Sequence, residues 1–517
     1  DAPTPTPVTP SGASRSPLTL HEAYAAAEGA AELGSGVFGS VVKVRHRRTG
    51  TERACKRIPV ETWQAAELVR LEVSMLKNLD HVCLLRLYEV FYEDEAVSLV
   101  TELCQGGSLA ERLMFHREIA QPMTEGHAAR CLEQMLGAAA FCHERGVVHR
   151  DLKPENILFL SMSADSPLKV IDFGLADTLE RLQAGRRDEV VQREGAVGMV
   201  ARMIPRLPDG SELIPTQISR SAMQRAGTPH YMAPEVYGGE YGPKADTFSI
   251  GVMAVEMLCL RHPFYTPGDD LEDVRRNIVE RGPDLAALDS ASYLSPRAVR
   301  WCRWLLRASP ASRASASEAL VDEWFSSFMR LLAQGARALS SGAVCEALVF
   351  YATSSRLRQV GLHALAQEVT EPQVAALRQA FLHMDRDGDG VLGTSELLAG
   401  GGSPSDSPEE VRAAAERVGV VGSKGVGVGY TDFLAMLLPQ HVRLLPEQLA
   451  NAFEHLDAFG ENHLTGEGVR RAVLRSSRGY SSISPSLLDD ACAELEHIGG
   501  LDLPGFCRLA QVAVTQV

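Results

Sequence analysis

Apolar and polar positions change period several times along the chain, and the changes divide it. Residues 40–44 continue a glycine-rich turn as a strand, and residues 97–104 form an apolar strand that ends in a hinge. Gln105, Gly106, Gly107 and Ser108 then turn into a helix. Helical periodicity follows over residues 67–78, 124–145 and 245–260, and Trp324 and Phe325 close this region. Residues 326–370 repeat a helical pattern on Leu331, Leu332, Val344, Leu348, Leu357, Val360 and Leu365, with Arg330, Arg337, Arg356 and Arg358 interspersed. Such a segment either packs on a neighbour or changes partners. Val374, Leu377, Phe381 and Met384 share one face ahead of an acidic loop, with Thr370 and Gln373 as a capping box. Ser407, Pro408, Glu409 and Glu410 restart a helix, and three further helix–loop–helix units follow at a common period.

Two stretches break the pattern. Residues 1–27 are rich in Pro, Ser, Thr and Ala without periodic apolar positions, which predicts a mobile tail. The segment from Asp172 to Glu235 is far longer than the ~15 residues that structureless loops usually reach. Its polar middle, with Arg186, Arg187 and a Pro-Asp-Gly turn at 208–210, reads as an insertion over about 178–222.

The size, 517 residues, predicts two to four domains, and 45% hydrophobic content is enough for their cores. A net charge of −15 argues against nucleic acid as a partner. The ten cysteines are scattered without a CxxC pair, which predicts free thiols in a reducing, cytoplasmic setting. No apolar run approaches the roughly 20 residues that span a bilayer. The chain begins at Asp1, so anchoring through a missing N-terminus stays open.

The run HRDLKPEN at 149–156, followed by Asp172, Phe173 and Gly174, resembles the catalytic and metal-binding loops of a protein kinase. Phosphoryl transfer asks for in-line geometry, metal against phosphate charge and a carboxylate to orient the incoming hydroxyl. Asp151 would accept the hydroxyl's proton, Lys153 would sit by the transferred phosphate, and Asn156 and Asp172 would hold magnesium. The glycine-rich turn Leu33, Gly34, Gly36, Gly39, Val41 suits close approach to ATP phosphates, with Val41 over the adenine. Taken alone it is equally a hairpin; the strand that follows disfavours a dinucleotide fingerprint. Lys56, after Ala54 in the nucleotide pocket, would pair with Glu72 and touch the phosphates. Thr101 would line the rear of the pocket, and backbone groups of Glu102 and Cys104 would read the adenine edge. Thr228 would contact Asp151 and Lys153, Asp246 would anchor the catalytic loop, and Arg313 would pair with Glu235. Arg150 precedes Asp151, so Ser219 and Ser221 are phosphorylation candidates.

Residues 385–396 carry a full EF-hand loop. Asp385, Asp387, Asp389 and Glu396 fall at positions 1, 3, 5 and 12, Gly390 makes the turn at 6, and Val391 offers its carbonyl for calcium. The later loops are degraded. Residues 421–432 lack early carboxylates; residues 457–468 keep Asp457 but have Phe459 and Gly468 at ligand positions; residues 494–505 end on Gly505. These predict structural pairing with weak or no calcium binding.

Kinase motifs, a helical junction and four EF-hands, in that order, resemble the calcium-dependent protein kinases over residues 28–517. The resemblance implies an α+β, two-lobed kinase fold, with a β-rich small lobe and a helical large lobe over 28–325, followed by an all-α EF-hand domain. That domain would consist of two paired-hand lobes, 371–440 and 441–517. It also implies serine/threonine phosphorylation of protein substrates with ATP and magnesium, and a junction at 326–370 that blocks the substrate cleft until calcium rearranges its intramolecular contacts with the hands. Ser108 stands where the family usually has an acidic residue; Glu155 remains, leaving a weakened preference for a basic residue upstream of the target. A calcium-binding scaffold with an inactive kinase fold is the alternative, or an active kinase insensitive to calcium.

Overall fold

The computed structural model describes residues 19–26, 32–36, 39–48, 50–60, 63–93, 96–163, 166–173, 176–178, 229–240, 242–325, 339, 341–369, 371–399, 407–422, 425–475 and 483–510. The alternating segment of the first hundred residues forms an antiparallel sheet. Glu52–Pro59 lies between Gly39–His46 and Ala96–Thr101, in the registers Val41↔Lys56 and Ala54↔Thr101. Leu87–Tyr92 closes the far side, and Glu32–Gly36 folds back on Gly39–His46. Period-two alternation sends Ala54 and Lys56 to one face and Cys55, fully buried with Val44 and Val100, to the other.

The tail expected over 1–27 ends sooner than its composition suggests. Thr19 and Glu22 cap a single turn, Leu20–Ala23, and Tyr24–Ala26 adds an edge strand to Gly39–His46. Tyr24 is buried, with its hydroxyl donating to Glu89 Oε2 at 2.5 Å. One large aromatic ring with a satisfied hydroxyl supplies the driving force that the surrounding residues lack.

The large lobe is built on two neighbouring helices, Glu125–Glu144 and Pro243–Cys259. Thr124 caps the first by accepting from the His127 amide. The second is apolar on all sides and buried from Ala245 to Leu258, as a central helix must be. Glu125 fastens the lobe's end: its carboxylate accepts from the Ser295 amide and hydroxyl and from the Trp324 indole (2.7, 2.6 and 2.7 Å).

Among its described residues the junction forms two helices, Ser341–Thr353 and Arg356–Glu368, packed against the helices that follow. That C-terminal region is not all-helical, as the sequence reading had it. Val391–Gly393, Val420–Gly422 and Gly425–Gly429 make a three-stranded sheet that joins the first two loops, with Leu392 opposite Val428. Gly427 allows this, since a Cβ there would lie 2.4 Å from the Leu392 carbonyl oxygen. The last two loops meet through Leu464 and Leu501. Each pair of residues occupies position 8 of its loop, so loop pairing, rather than local strand propensity, makes the sheet.

The C-terminal region docks on both lobes. On the large lobe, Arg145 donates to the Asp389 carbonyl at 3.2 Å, and Gly388 and Gly390 lie against Leu320, Gly137, Phe141 and His81. On the small lobe, Thr431 donates to Asp80 at 2.6 Å, Arg53 faces Glu368 at 3.9 Å, and Arg48 faces Glu454 at 3.3 Å. Among the described residues no helix is long and apolar enough to cross a membrane.

Candidate functional site

The site lies where the small-lobe sheet meets the loops that follow Glu125–Glu144. Lys56 reaches Glu72, on the helix Trp63–Asn78, at 2.7 Å and Asp172 at 3.7 Å. Burial works against the Lys56 charge, but the two carboxylates outweigh it and hold the ammonium above its ordinary range. Burial pushes the Glu72 carboxyl up more than Lys56 pulls it down.

Asp151 is held from two sides. Lys153 Nζ donates to its Oδ2 at 2.6 Å, and Asn156 Nδ2 donates to its carbonyl at 2.8 Å and to Oδ2 at 3.2 Å. Asp246 anchors the loop beneath, accepting from the His149 and Arg150 amides at 2.9 Å each and from His143 Nε2 at 2.8 Å. Its burial favours the neutral acid, but these donors outweigh it and keep the carboxyl below its ordinary value. Arg150 and Asp172 both adopt the left-handed backbone region, at φ +72° and +66°. Such conformations persist where surrounding bonds over-determine them. Here the Asp246 bonds fix one, and the buried Phe173 ring, packed on His149, fixes the other.

The nucleotide side is partly described. Leu33 is half exposed and a Cβ on Gly34 would meet only open space. Gly36 and Gly39 end the two hairpin strands, and Val41 pairs with Lys56. Thr101 is buried beside Ala54, and Cys104 is partly buried. Glu102 has its side chain turned inward to Lys169 at 3.0 Å and to the Arg86 amide at 2.6 Å, while its own amide donates to the Arg86 carbonyl. Its carbonyl accepts from the Thr101 hydroxyl at 3.3 Å, so side chain, amide and carbonyl of Glu102 all have partners, a division of labour not visible in the sequence. Thr228, Gly174, Ser219, Ser221 and nearly all of the 178–222 insertion lie outside the described residues.

Two supporting clusters surround this core. Arg313, fully buried, makes a bidentate pair with Glu235 at 2.6 and 2.8 Å and donates to three carbonyls, those of Lys244, Arg307 and Ala308. Glu256 accepts from Tyr231 at 2.8 Å and Arg117 at 2.7 Å. The first is the pairing expected of Arg313 and Glu235; the second has no sequence signal, because nothing local marks a glutamate within an apolar helix.

The second site is the loop 385–396. Carboxylate oxygens of Asp385, Asp387 and Glu396 lie within 4.8 Å of one another. Gly388 and Gly390 take φ +71° and +74°, and the Gly390 amide donates to Asp385 Oδ2 at 3.0 Å. The Val391 amide donates to Asp389 Oδ1 at 2.8 Å, which folds Asp389 into the loop, and Val391 itself is buried in the joining sheet. Asp385 Oδ1 is buried without a hydrogen-bond partner among the described residues. Burial, with Asp389 and Glu396 adding repulsion, drives the Asp385 carboxyl well above its ordinary range; burial raises Glu396 as well. Converging hard oxygens with an orphaned lone pair fit a cation of the calcium type.

The protein kinase domain family matches residues 28–201 and 209–325. Similar proteins include calcium-dependent protein kinase 5 of Plasmodium berghei, 26% identical over 89% of this chain and 73% of the relative. Calcium-dependent protein kinase 7 of Oryza sativa subsp. japonica is 27% identical over 93% of this chain and 80% of its own. CDPK-related kinase 7 of Arabidopsis thaliana is 34% identical over 68% of this chain and 54% of its own length.

Proposed function

Since the chain belongs to the calcium-dependent protein kinase family and is a protein serine/threonine kinase, we propose that calcium at a single EF-hand loop controls its phosphoryl transfer from ATP to protein hydroxyls. The assembled Lys56–Glu72 pair with Asp172 beside it carries the catalytic half of this reading. The orphaned Asp385 oxygen among converging carboxylates supports the calcium half.

Asp151 orients the substrate hydroxyl and takes its proton, while Lys153, 2.6 Å away, offsets the charge at that carboxylate. Asn156 holds Asp151 in place, and its second role, with Asp172, is to hold magnesium. Magnesium, when bound, neutralises phosphate charge. Lys56 steadies the phosphates and is itself set by Glu72. The four helix–loop–helix units are read as EF-hands in two pairs. Asp385, Asp387, Asp389, Glu396 and the Val391 carbonyl hold calcium. The junction at 326–370 is the inhibitory element, and Glu155 supports a preference for a basic residue upstream of the target. Ten free cysteines support a cytoplasmic setting.

Initial rates on a basic peptide across a calcium titration test this. Activation with a Hill coefficient near one is expected, since one loop keeps its ligands. Glu396→Gln should move the midpoint upward at least tenfold. A coefficient above two, or an unmoved midpoint in the variant, refutes the single-loop assignment.

A further inference from the structure

The three damaged loops keep acidic residues at ligand positions, and the structure shows what these residues now do. Loop pairing fixes the numbering. Leu392 opposite Val428 sets Asp432 at position 12 of the second loop. The Leu464–Leu501 bridge sets Glu494 at position 1 of the fourth. In the first loop these same two positions, Asp385 and Glu396, converge on one point. In the third loop Asp457 still accepts amides of its own loop, those of Glu461 and Asn462; in the second and fourth loops Asp432 and Glu494 instead reach the helix Arg356–Glu368.

At the start of that helix, Glu494 accepts the amides of Arg356 and Leu357 through its two oxygens, at 3.0 Å each. Ser355 accepts the next free amide, that of Arg358, at 3.2 Å. The exposed donors of a helix N-terminus are thus met by a carboxylate, which the helix dipole also favours. Midway, His363 Nε2 donates to Asp432 Oδ1 at 2.8 Å, both side chains being buried. At the far end, Gln448 donates to the Glu368 carbonyl at 2.7 Å and Asn451 to the Glu368 carboxylate at 3.3 Å. Every residue from Leu357 to Gln367 is buried, four of them polar or charged. A buried polar group costs ~1–3 kcal/mol when unpaired, so the partners of His363 and of the first helical amides help to hold the helix in place.

We propose that the second and fourth hands have exchanged calcium for the Arg356–Glu368 helix: former ion ligands Asp432 and Glu494 clasp it permanently, with or without calcium. The calcium-dependent event is then confined to the first loop and what it touches, namely the Ser341–Thr353 helix side, the large lobe and the paired strand of the second loop, while the Asp432 and Glu494 bonds to the Arg356–Glu368 helix hold. This rests on the reading of the C-terminal region as EF-hands that control the kinase.

Hydrogen–deuterium exchange on the full-length protein, in chelator and in saturating calcium, tests the clasp. Amides of 357–367 should be protected in both conditions, with rates within about twofold. Exchange at the rate of an open chain in chelator, slowing at least tenfold with calcium, overturns the proposal. Glu494→Ala, or Asp432→Asn if the first does not fold, should speed exchange of 356–368 in chelator about tenfold; unaltered exchange also overturns it. The same samples assayed for peptide phosphorylation separate the two readings. Protection in chelator with activity indifferent to calcium refutes calcium control alone. Calcium-activated transfer without protection in chelator refutes the clasp alone.

Discussion

Gly390→Ala tests whether the first ion loop and the large lobe are one packed unit. Gly390 holds φ +74°, and a Cβ there would lie 2.4 Å from Phe141 Cδ2 and 2.9 Å from His81 Cδ2. Ordinary contact begins near 3.4 Å, so the buried Phe141 ring must retreat by about 1 Å and the His81 ring by about 0.5 Å. Overpacking of this kind costs ~1–3 kcal/mol. The left-handed backbone adds ~1 kcal/mol for an alanine. That backbone cost falls on the loop docked or undocked, so the overpacking alone, ~1–3 kcal/mol, lowers the docking equilibrium by roughly 5- to 150-fold. The loop itself tolerates a side chain at this position, since Asn462 occupies it in the third loop at φ +55°. Gly460→Ala is the control: φ is +68° with nothing within 4 Å of the added carbon, so only the backbone cost of ~1 kcal/mol applies. Amide exchange over 137–145 in the full-length protein, with peptide phosphorylation at saturating calcium, provides the readout. Gly390→Ala should expose that segment and lower the maximal rate; Gly460→Ala should do neither. Arg145→Ala removes the bond to the Asp389 carbonyl, and its effect should be sub-additive with Gly390→Ala by at least ~0.5 kcal/mol. Unchanged exchange at 137–145 in Gly390→Ala would refute the packing argument.

Asp151→Asn should cut peptide phosphorylation by ~10²–10⁴-fold while calcorimetric calcium binding stays intact, because the loop 385–396 lies on another surface. Arg313→Met should cost ~3–5 kcal/mol in urea denaturation, since Glu235 would be left buried opposite no charge; Arg313→Lys should recover part of it but not the bidentate geometry. Glu133 supplies a pH dependence. Burial pushes its carboxyl from 4.5 up to about 7, against a lesser pull from Arg378. The folded protein therefore keeps a proton that the unfolded chain releases, and stability falls as pH rises from about 4.5 through 7. For this half-buried group the loss is about 1–3 kcal/mol. Glu133→Gln should remove it, raising the melting temperature at pH 8 and leaving it unchanged near pH 4.5; equal melting curves at pH 8 would contradict the burial argument.

The chemistry was legible wherever function forces several residue types into one short run. HRDLKPEN with its following DFG, the Lys56–Glu72 pair and the loop 385–396 all belong to this class. The partners of Arg313 and Asp246 followed, because their roles come with those runs. Other features depend on residues that meet only in the folded chain. Asp80 and Thr431 are 351 positions apart, and His363 and Asp432 are 69 apart. The sequence leaves the segment open between packing on a neighbour and changing partners, because nothing local marks His363 as the partner of a distant carboxylate. Glu494 carries no signal beyond opening a loop that ends on Gly505, since its partners are backbone amides and leave no compositional trace. The early end of the N-terminal tail was missed for a similar reason: a single tyrosine decides it.

That first edge strand has a practical consequence. Arg47 donates to the His21 carbonyl at 2.7 Å, while its neighbour Arg48 meets Glu454 on the third unit at 3.3 Å. The first described residues and a late helix therefore share one turn of the small lobe as their common moorage. A dye attached ahead of Thr19 and a second dye near Glu454 would sit side by side in the assembled protein, and separation of the C-terminal units from the small lobe would register as lost energy transfer. The fold thus offers an optical gauge of its own assembly, with neither fluorophore near the chemistry.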